Sequence, residues 1–541
     1  MPEDGSPAHR AAAIIARNLA PRGLLATALL ALREFGCPAT PSGAASLLWA
    51  SGFPVDLLEA FEHKGRRGTD LLLDLADLAR QPGRPNLAPI EFRPRPAAPG
   101  FVAHADDGVE PPGVLRFQLP RGDAFLGPDD GGAVDLLGQV SAALPGVPLL
   151  VSCHHQHADS LRRSLAAIPS LMGRGVTVRE ELTPVSQWAC DNAKAGALDG
   201  SRAWLLPRFA DTGEELPKHH EGDTLAGDAL ALAGECVVRS PLLFQGGNVL
   251  VTRTRDGSLV ALVGEAEVQR NHALGLSSAQ AVEWLRVELG VDRCIVLPAI
   301  SYHVDYEVSV RVEAMPRPTA FVNDSNAAAR LIARIGLDAL RASALLDDPG
   351  HARLSSCLRE ERLRDAVAGA WACVRQTEAG DGVFDPSLAR AFATAPTDPG
   401  APNARTFLLA LDLLTSECAV PREFAHAPHF EAVLRSSERR REDRRRLRAQ
   451  LESLGFAVVP VPSLAEGALG LNAINGVHAP GLYLMPAHGG LYRDLDQAAA
   501  QAFARALGPR TVVCPIRSRE SQRREGGVRC SAALAVARPS G

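Results

Sequence analysis

The sequence predicts an α/β protein, and three observations predict it. Short strand-like runs alternate with helix-like runs through Gly113–Asn323 and again from Leu447 onward, which is the pattern of sheets covered by helices. The chain has 541 residues, 46% of them hydrophobic and 22% charged, so it can bury a large core in more than one structural unit. Within it, Ser301–Val310, SYHVDYEVSV, alternates without interruption: Ser301, His303, Asp305, Glu307 and Ser309 fall on one face, and Tyr302, Val304, Tyr306, Val308 and Val310 on the other. That period predicts a half-buried strand with His303 and Asp305 side by side.

In chain order, Ala11–Leu19, Leu24–Phe35 and Pro54–Ala79 carry helical spacing, so residues 1–91 read as an N-terminal helical unit. The Pro- and Gly-rich stretch 92–112 reads as a linker. From Gly113, strands are expected at Val114–Leu119, Val147–Cys153 and Val176–Glu181, and helices at Gly132–Leu144 and Leu161–Met172. The pattern recurs at Leu230–Ser240, Asn248–Thr254, Leu259–Gly264, Ser277–Gly290 and Arg293–Pro298. It returns at Leu447–Leu454, Ala457–Val461, Leu482–Pro486, Leu495–Leu507 and Thr511–Ile516. Between these blocks, 324–446 reads as a helical insertion, with breaks at 377–386 and 395–403, leaving 113–323 and 447–541 as two parts of one domain. The run Arg435–Arg448 interleaves Glu and Asp with Arg, the composition of a solvated, ion-paired helix face.

A net charge of −5 gives no general attraction to nucleic acid. No CxxC pair occurs among the 10 cysteines, so neither a zinc ribbon nor a redox motif is expected. No uncharged run is long enough to span a bilayer and no signal-peptide pattern is visible, so a cytoplasmic protein is expected. His154, His155 and His157, and the pair His219–His220, lack a matching set of ligands at metal-site spacing, and no metal or organic cofactor is expected.

Four further motifs carry candidate chemistry. Trp188-Ala-Cys-Asp191 places a carboxylate beside an aromatic ring, suited to a planar cation, although Asp191 also fits a turn. Phe244-Gln-Gly-Gly-Asn248 lets backbone approach a ligand closely at Gly247, or simply turns. Asn472-Ala-Ile-Asn-Gly476 is explained by a turn before a strand. Gly526-Gly-Val-Arg-Cys530 sets a cysteine beside Arg529, a setting for an activated thiolate, against the commoner buried packing cysteine.

Taken in order, W-x-x-D, F-Q-G-G-N, H-x-D, N-G and a near-terminal G-G-x-x-C resemble the guanidino-group modifying superfamily of arginine, agmatine and peptidylarginine deiminases, dimethylarginine hydrolases and amidinotransferases. The resemblance covers roughly Gly113–Asn323 and Leu447–Ala537. It implies a pentein fold, ββαβ units about a pseudo-fivefold axis with the active site in a central channel. It implies Cys530 as nucleophile, His303 as general acid/base, Asp191 and Asp305 as guanidinium clamps, and Trp188, Gly247, Asn248 and Arg529 around the substrate. Arg529 before the cysteine, rather than His, is in the arginine-deiminase style, and Gln245 stands where an acid is common. The implied activity is hydrolysis of a small-molecule or peptidyl guanidino substrate to a ureido product, with an amidinotransferase and a catalytically idle binding protein as alternatives. Oligomeric state is left open, a homodimer included. Glu307 is either a further pocket group or the solvated end of its strand.

Overall fold

The computed structural model describes residues 100–119, 132–154, 157–181, 186–207, 230, 235–274, 276–312, 317–342, 346–360, 366, 369, 428–464, 471–523 and 526–536. The three N-terminal helices, His155, His219, His220 and the breaks at 377–386 and 395–403 lie outside the described residues.

In chain order the elements are β1 (Phe101–Ala103), β2 (Pro112–Leu119), α1 (Ala133–Ala143), β3 (Leu149–His154), α2 (Ala158–Ala166), β4 (Val176–Glu181), β5 (Lys194–Leu198), β6 (Ser201–Leu206) and β7 (Cys236–Arg239). There follow β8 (Val249–Arg253), β9 (Leu259–Gly264), α3 (Glu265–Arg270), α4 (Ser278–Leu289), β10 (Arg293–Leu297), β11 (Val308–Arg311), β12 (Thr319–Asn323), α5 (Ser325–Ala342), α6 (Asp348–Arg359) and α7 (Pro428–Ser453). The chain ends with β13 (Ala457–Val461), β14 (Val477–Ala479), β15 (Leu482–Ala487), α8 (Arg493–Leu507), β16 (Val512–Arg517), α9 (Arg519–Arg523), α10 (Val528–Ser531) and β17 (Ala532–Val536).

Among the described residues these strands form five small sheets, ordered β17-β2-β3-β4, β1-β5-β6-β7, β10-β9-β8, β11-β12-β13 and β14-β15-β16. One topology recurs in all five. An antiparallel pair comes first: β17·β2, β5·β6, β8·β9, β11·β12 and β14·β15. A parallel partner then joins the second strand: β3, β7, β10, β13 and β16. Parallel neighbours need a crossover, and helices such as α4 and α8 supply it. The first sheet takes its antiparallel strand, β17, from the far C-terminus, so the two ends of the described chain meet there.

Local chemistry explains the elements. β8 and β9 are VLVTR and LVALVG, β-branched and buried, joined by a turn in which Gly257 takes φ +87°. Asp199 (φ 50°) and Gly200 (φ 74°) close the β5–β6 hairpin, the left-handed pair that such a two-residue turn demands. α4 starts at a capping box between Ser277 and Gln280 and stops at Gly290 in the left-handed region. Leu285, Ala281 and Leu289 of α4 pack with Val249, Val251, Ala261 and Val263 of the sheet beneath.

Three expectations are corrected. Ser301–Val310 is not one strand: residues 301–303 bend, Val304–Tyr306 form a 3-10 turn, and only Val308 onward joins β11. Alternation implies one wet face, yet His303 through Val310 are all buried, so no solvent face exists for the pattern to report. The stretch 92–112 is not wholly a linker. β1 pairs with β5, and Asp107 is fully buried against Arg253, a partner 146 positions away. The boundary at 446/447 falls inside α7, whose helix-forming residues carry no breaker across it. The crossover from β12 to β13 is the segment 324–456, and it carries α5, α6 and α7. Among the described residues no helix is long and apolar enough to cross a membrane.

Candidate active site

Each sheet contributes the segment immediately before the first strand of its antiparallel pair. These are Trp188–Ala193 before β5, Gln245–Asn248 before β8, His303–Glu307 before β11, Asn472–Gly476 before β14 and Val528–Ser531 before β17. Four of them are the motifs of the sequence, and the fifth contains the H-x-D pair.

Hydrogen bonds join the five segments in a closed ring. Gly246 N donates to Asp191 O at 3.0 Å and Gly247 N to Asp191 Oδ1 at 3.1 Å. Val304 N donates to Asn248 Oδ1 at 2.8 Å. Asn475 Nδ2 donates to Asp305 O at 3.4 Å and Asn472 Nδ2 to Tyr306 O at 3.1 Å. Arg529 N and Cys530 N donate to Asn475 O and Oδ1 at 3.1 and 3.2 Å. Cys190 N donates to Cys530 O at 3.2 Å, closing the circuit. The glycines are required where backbone meets side chain. A Cβ on Gly247 would lie 2.4 Å from Asp191 Oδ1 and 2.8 Å from His303 Nδ1. One on Gly526 would lie 1.9 Å from the Trp188 ring.

The ring brings Asp191, His303, Asp305 and Cys530 together, all buried. Cys530 Sγ lies 3.7 Å from Asp305 Oδ2. His303 Nδ1 lies 3.7 Å from Asp191 Oδ1, and Nε2 lies 2.6 Å from Gln245 Oε1. Both ring nitrogens therefore face oxygen acceptors. Cys530 packs with Tyr306 and the half-buried Trp188 in an apolar patch. Burial, then the charges of Asp305 and Asp191, push the Cys530 thiol well above its ordinary range. Burial likewise raises Asp305, although Arg529 opposes the shift. Its Oδ1 is buried with no hydrogen-bond partner.

The other candidate residues are placed differently. Asn248 engages both ends of its amide, accepting from Val304 N and donating to Glu267 Oε1 at 2.8 Å, so it holds the His303 turn. Arg529 points its guanidinium inward. It donates to Asp305 Oδ2 at 2.6 Å, to Val249 O at 3.1 Å and to Gly247 O at 3.3 Å, with Asp106 3.4 Å away. Burial opposes its charge, but Cys190, Asp106 and Asp305 hold it protonated. Glu307 is not a solvated strand end: it is 3% exposed, paired with Arg444, and lines a small cavity with His303 and Asn248. Sequence reasoning missed Gln245 and Asn475 as site residues, though both lie within motifs it singled out. Arg444 had no local signal, being one arginine in a run of them.

No family model matches the chain, and no curated protein matches it. Solved structures do. Agmatine deiminase of Enterococcus faecalis is similar with a TM-score of 0.47 and 13% identity, over 83% of this chain and 99% of that one. C. jejuni agmatine deiminase is similar with a TM-score of 0.45 and 14% identity, over 81% of this chain and 97% of that one.

Proposed function

We propose that the protein is a cysteine-dependent hydrolase of a guanidino substrate, a deiminase giving a ureido product and ammonia. The observation that carries this reading is the convergence of a thiol, two carboxylates and an imidazole in one buried site, with Asp305 Oδ2 3.7 Å from the sulfur. A carboxylate oxygen so placed suits a planar N–H donor, and a guanidinium presents its N–H groups in pairs. The recurrence of one strand topology in five sheets, and their closed hydrogen-bonded circuit, support a pentein arrangement of ββαβ units about a pseudo-fivefold axis.

The electrostatics support a substrate-assisted nucleophile. Two carboxylates and burial keep the thiol protonated; a bound cation offsets both carboxylates and favours the thiolate. Asp191 and Asp305 orient the guanidinium carbon toward Sγ, which supplies proximity. As the thiol proton passes to His303, sulfur attack forms the C–S bond. His303 delivers its proton to the departing nitrogen as the C–N bond breaks, leaving a thiouronium and ammonia. His303 then takes a proton from water. The water oxygen bonds to carbon, the C–S bond breaks, and the ureido product leaves with the thiol restored.

The test is to incubate the protein with arginine, agmatine and an arginyl peptide and to measure ureido product and ammonia. Product abolished in Cys530→Ala supports the reading. Turnover only when an amine acceptor is added would make it an amidinotransferase, and binding without turnover a catalytically idle protein.

A further inference from the structure

The Arg-rich run of α7 has a face that solvation does not explain. Arg445 and Arg446 behave as a solvated run should, 74% and 64% exposed and ion-paired to Glu442 and Asp443 one turn away. Arg444, the residue just before them, is buried, 6% exposed. Its Nε and Nη2 donate to Glu307 Oε2 and Oε1, both at 2.9 Å, and Nη1 donates to Ser325 Oγ at 2.6 Å. This is a two-pronged carboxylate grip, the geometry that fixes orientation as well as charge. Glu307 closes the turn that carries His303 and Asp305, through Glu307 N donating to Val304 O at 3.0 Å. From Glu307 the connection continues. Asn323 Nδ2 donates to Glu307 Oε2 at 3.0 Å and to Tyr306 O at 2.5 Å, and Tyr306 adjoins Asp305.

That turn lies outside the strand ladders, so bonds from neighbouring segments restrain it in their place. Asn248 holds its first residue and Asn472 and Asn475 its far side. At Glu307 the side chain is held by Arg444 and Asn323. A buried carboxylate there is costly without a partner, so the arginine of α7 and the end of the turn are bound into one arrangement.

We infer that Arg444 is a positioning residue: through Glu307 it sets the His303–Glu307 turn and so the aim of the Asp305 carboxylate at a cationic ligand beside Cys530. This rests on the guanidino reading above. It gives one arginine of the 324–456 crossover a role in the site without its touching substrate.

The experiment compares alkylation of Cys530 by chloroacetamidine, a cation, with alkylation by chloroacetamide, its neutral counterpart, in the full-length protein. The ratio of rates reports the carboxylates' grip on a planar cation and needs no knowledge of the substrate. Wild type is expected to prefer the cation. In Arg444→Gln the ratio should fall about tenfold, in line with misplacement of a reacting geometry by a fraction of an ångström, while circular dichroism shows a folded protein. Arg444→Lys, which keeps the charge but not the fork, should fall in between. If Arg444→Gln does not fold, the Glu307→Gln/Arg444→Gln double variant, which buries no unpaired charge, is read in its place with the same expected fall. An unchanged ratio in a folded variant overturns the role of Arg444 alone. A wild-type protein with no preference for the cation overturns the guanidino reading and this inference with it.

Discussion

Replacing Asp305 by Asn should move two reactions of Cys530 in opposite directions. The carboxylate oxygen stands 3.7 Å from Sγ. At an effective dielectric of about 20, a unit charge at that distance raises the cost of forming the thiolate by about 4 kcal/mol. Arg529, 2.6 Å from the same oxygen, already offsets part of that charge, so removing the carboxylate should lower the thiol's pKa by less than the full charge would. At fixed pH below the thiol's pKa, the thiolate fraction then rises, and its lower intrinsic nucleophilicity returns about half of that gain on a logarithmic scale. Iodoacetamide, being neutral, should therefore alkylate Asp305→Asn about 10-fold faster than wild type at pH 8. Guanidine turnover should go the other way, with kcat/KM down at least about 100-fold, as for loss of one member of a buried charged contact. The assay is alkylation followed by intact mass, alongside ureido product formation, with a thermal melt to confirm the fold, since among the described residues Arg529 then keeps Asp106 as its ionic partner. If both reactions slow together, or neutral alkylation does not change, Asp305 does not act on the sulfur through its charge.

Gly247→Ala forces a Cβ to within 2.4 Å of Asp191 Oδ1 and should lower kcat/KM by about 100-fold; Gly257→Ala, at φ +87° in open space, should cost about 1 kcal/mol of stability with unchanged turnover, and equal effects on activity would remove the distinction. Gly526→Ala drives a Cβ into the Trp188 ring at 1.9 Å; intrinsic fluorescence should shift, and turnover should fall with the packing around Cys530, which a spectrum identical to wild type would contradict. His104 is lowered from 6.5 to about 4, first by burial and then by Lys194. A depressed histidine favours the folded state above its unfolded pKa, and that advantage is lost as pH falls from about 6.5 through about 4. Urea titrations at pH 7 and pH 4 should show His104→Asn losing about 2 kcal/mol less than wild type over that interval, after allowance for its partial exposure; equal losses would show that His104 is not the group responsible.

The candidate residues stand out in the sequence, but the element that carries His303 and Asp305 does not. His303 and Asp305 were paired because a strand would put them on one face. The structure puts them in a 3-10 turn whose shape is set by Asn248 and Glu307. In that turn His303 meets Gln245 and Asp191 while Asp305 meets Arg529 and Cys530. The β5–β6 hairpin was missed although Asp199-Gly200 is a strong two-residue turn signal. Its flanks, KAGAL and SRAWLL, lack clean alternation because the sheet is covered on both faces at one end. The loose stretch before β2 could not be read locally either. Asp106 and Asp107 look like loop residues until Lys194 and Arg253 are placed against them, and a buried carboxylate is recognisable only by its distant cation. Arg444 is the extreme case: the run that contains it predicts a wet helix face, and the carboxylate that buries one member lies 137 positions away.

Why these five segments, none of them a strand, make one site follows from what each does with its free backbone. A chain about to join a sheet has N–H groups that the ladder does not yet satisfy, and buried ones must find acceptors. Three segments answer with the same device. Asp191 Oδ1 takes Gly247 N, Asn248 Oδ1 takes Val304 N, and Asn475 Oδ1 takes Cys530 N. In each case a side-chain oxygen of one sheet caps the backbone of the next. The His303–Glu307 segment departs from the pattern. It meets its neighbour through the carbonyls of Asp305 and Tyr306, which accept from Asn475 and Asn472, and so leaves the Asp305 carboxylate out of the backbone circuit. One of its oxygens takes Arg529 and the Cys530 thiol; the other is buried and unpartnered. Asp305 thus turns one carboxylate oxygen to Arg529 and the Cys530 thiol, and neither to the backbone of a neighbouring segment, while its second oxygen is buried beside them, a position that a hydrogen-bond donor would stabilise. The strongest argument for a cationic, hydrogen-bond-donating substrate is therefore that departure of Asp305 from the rule its neighbours keep.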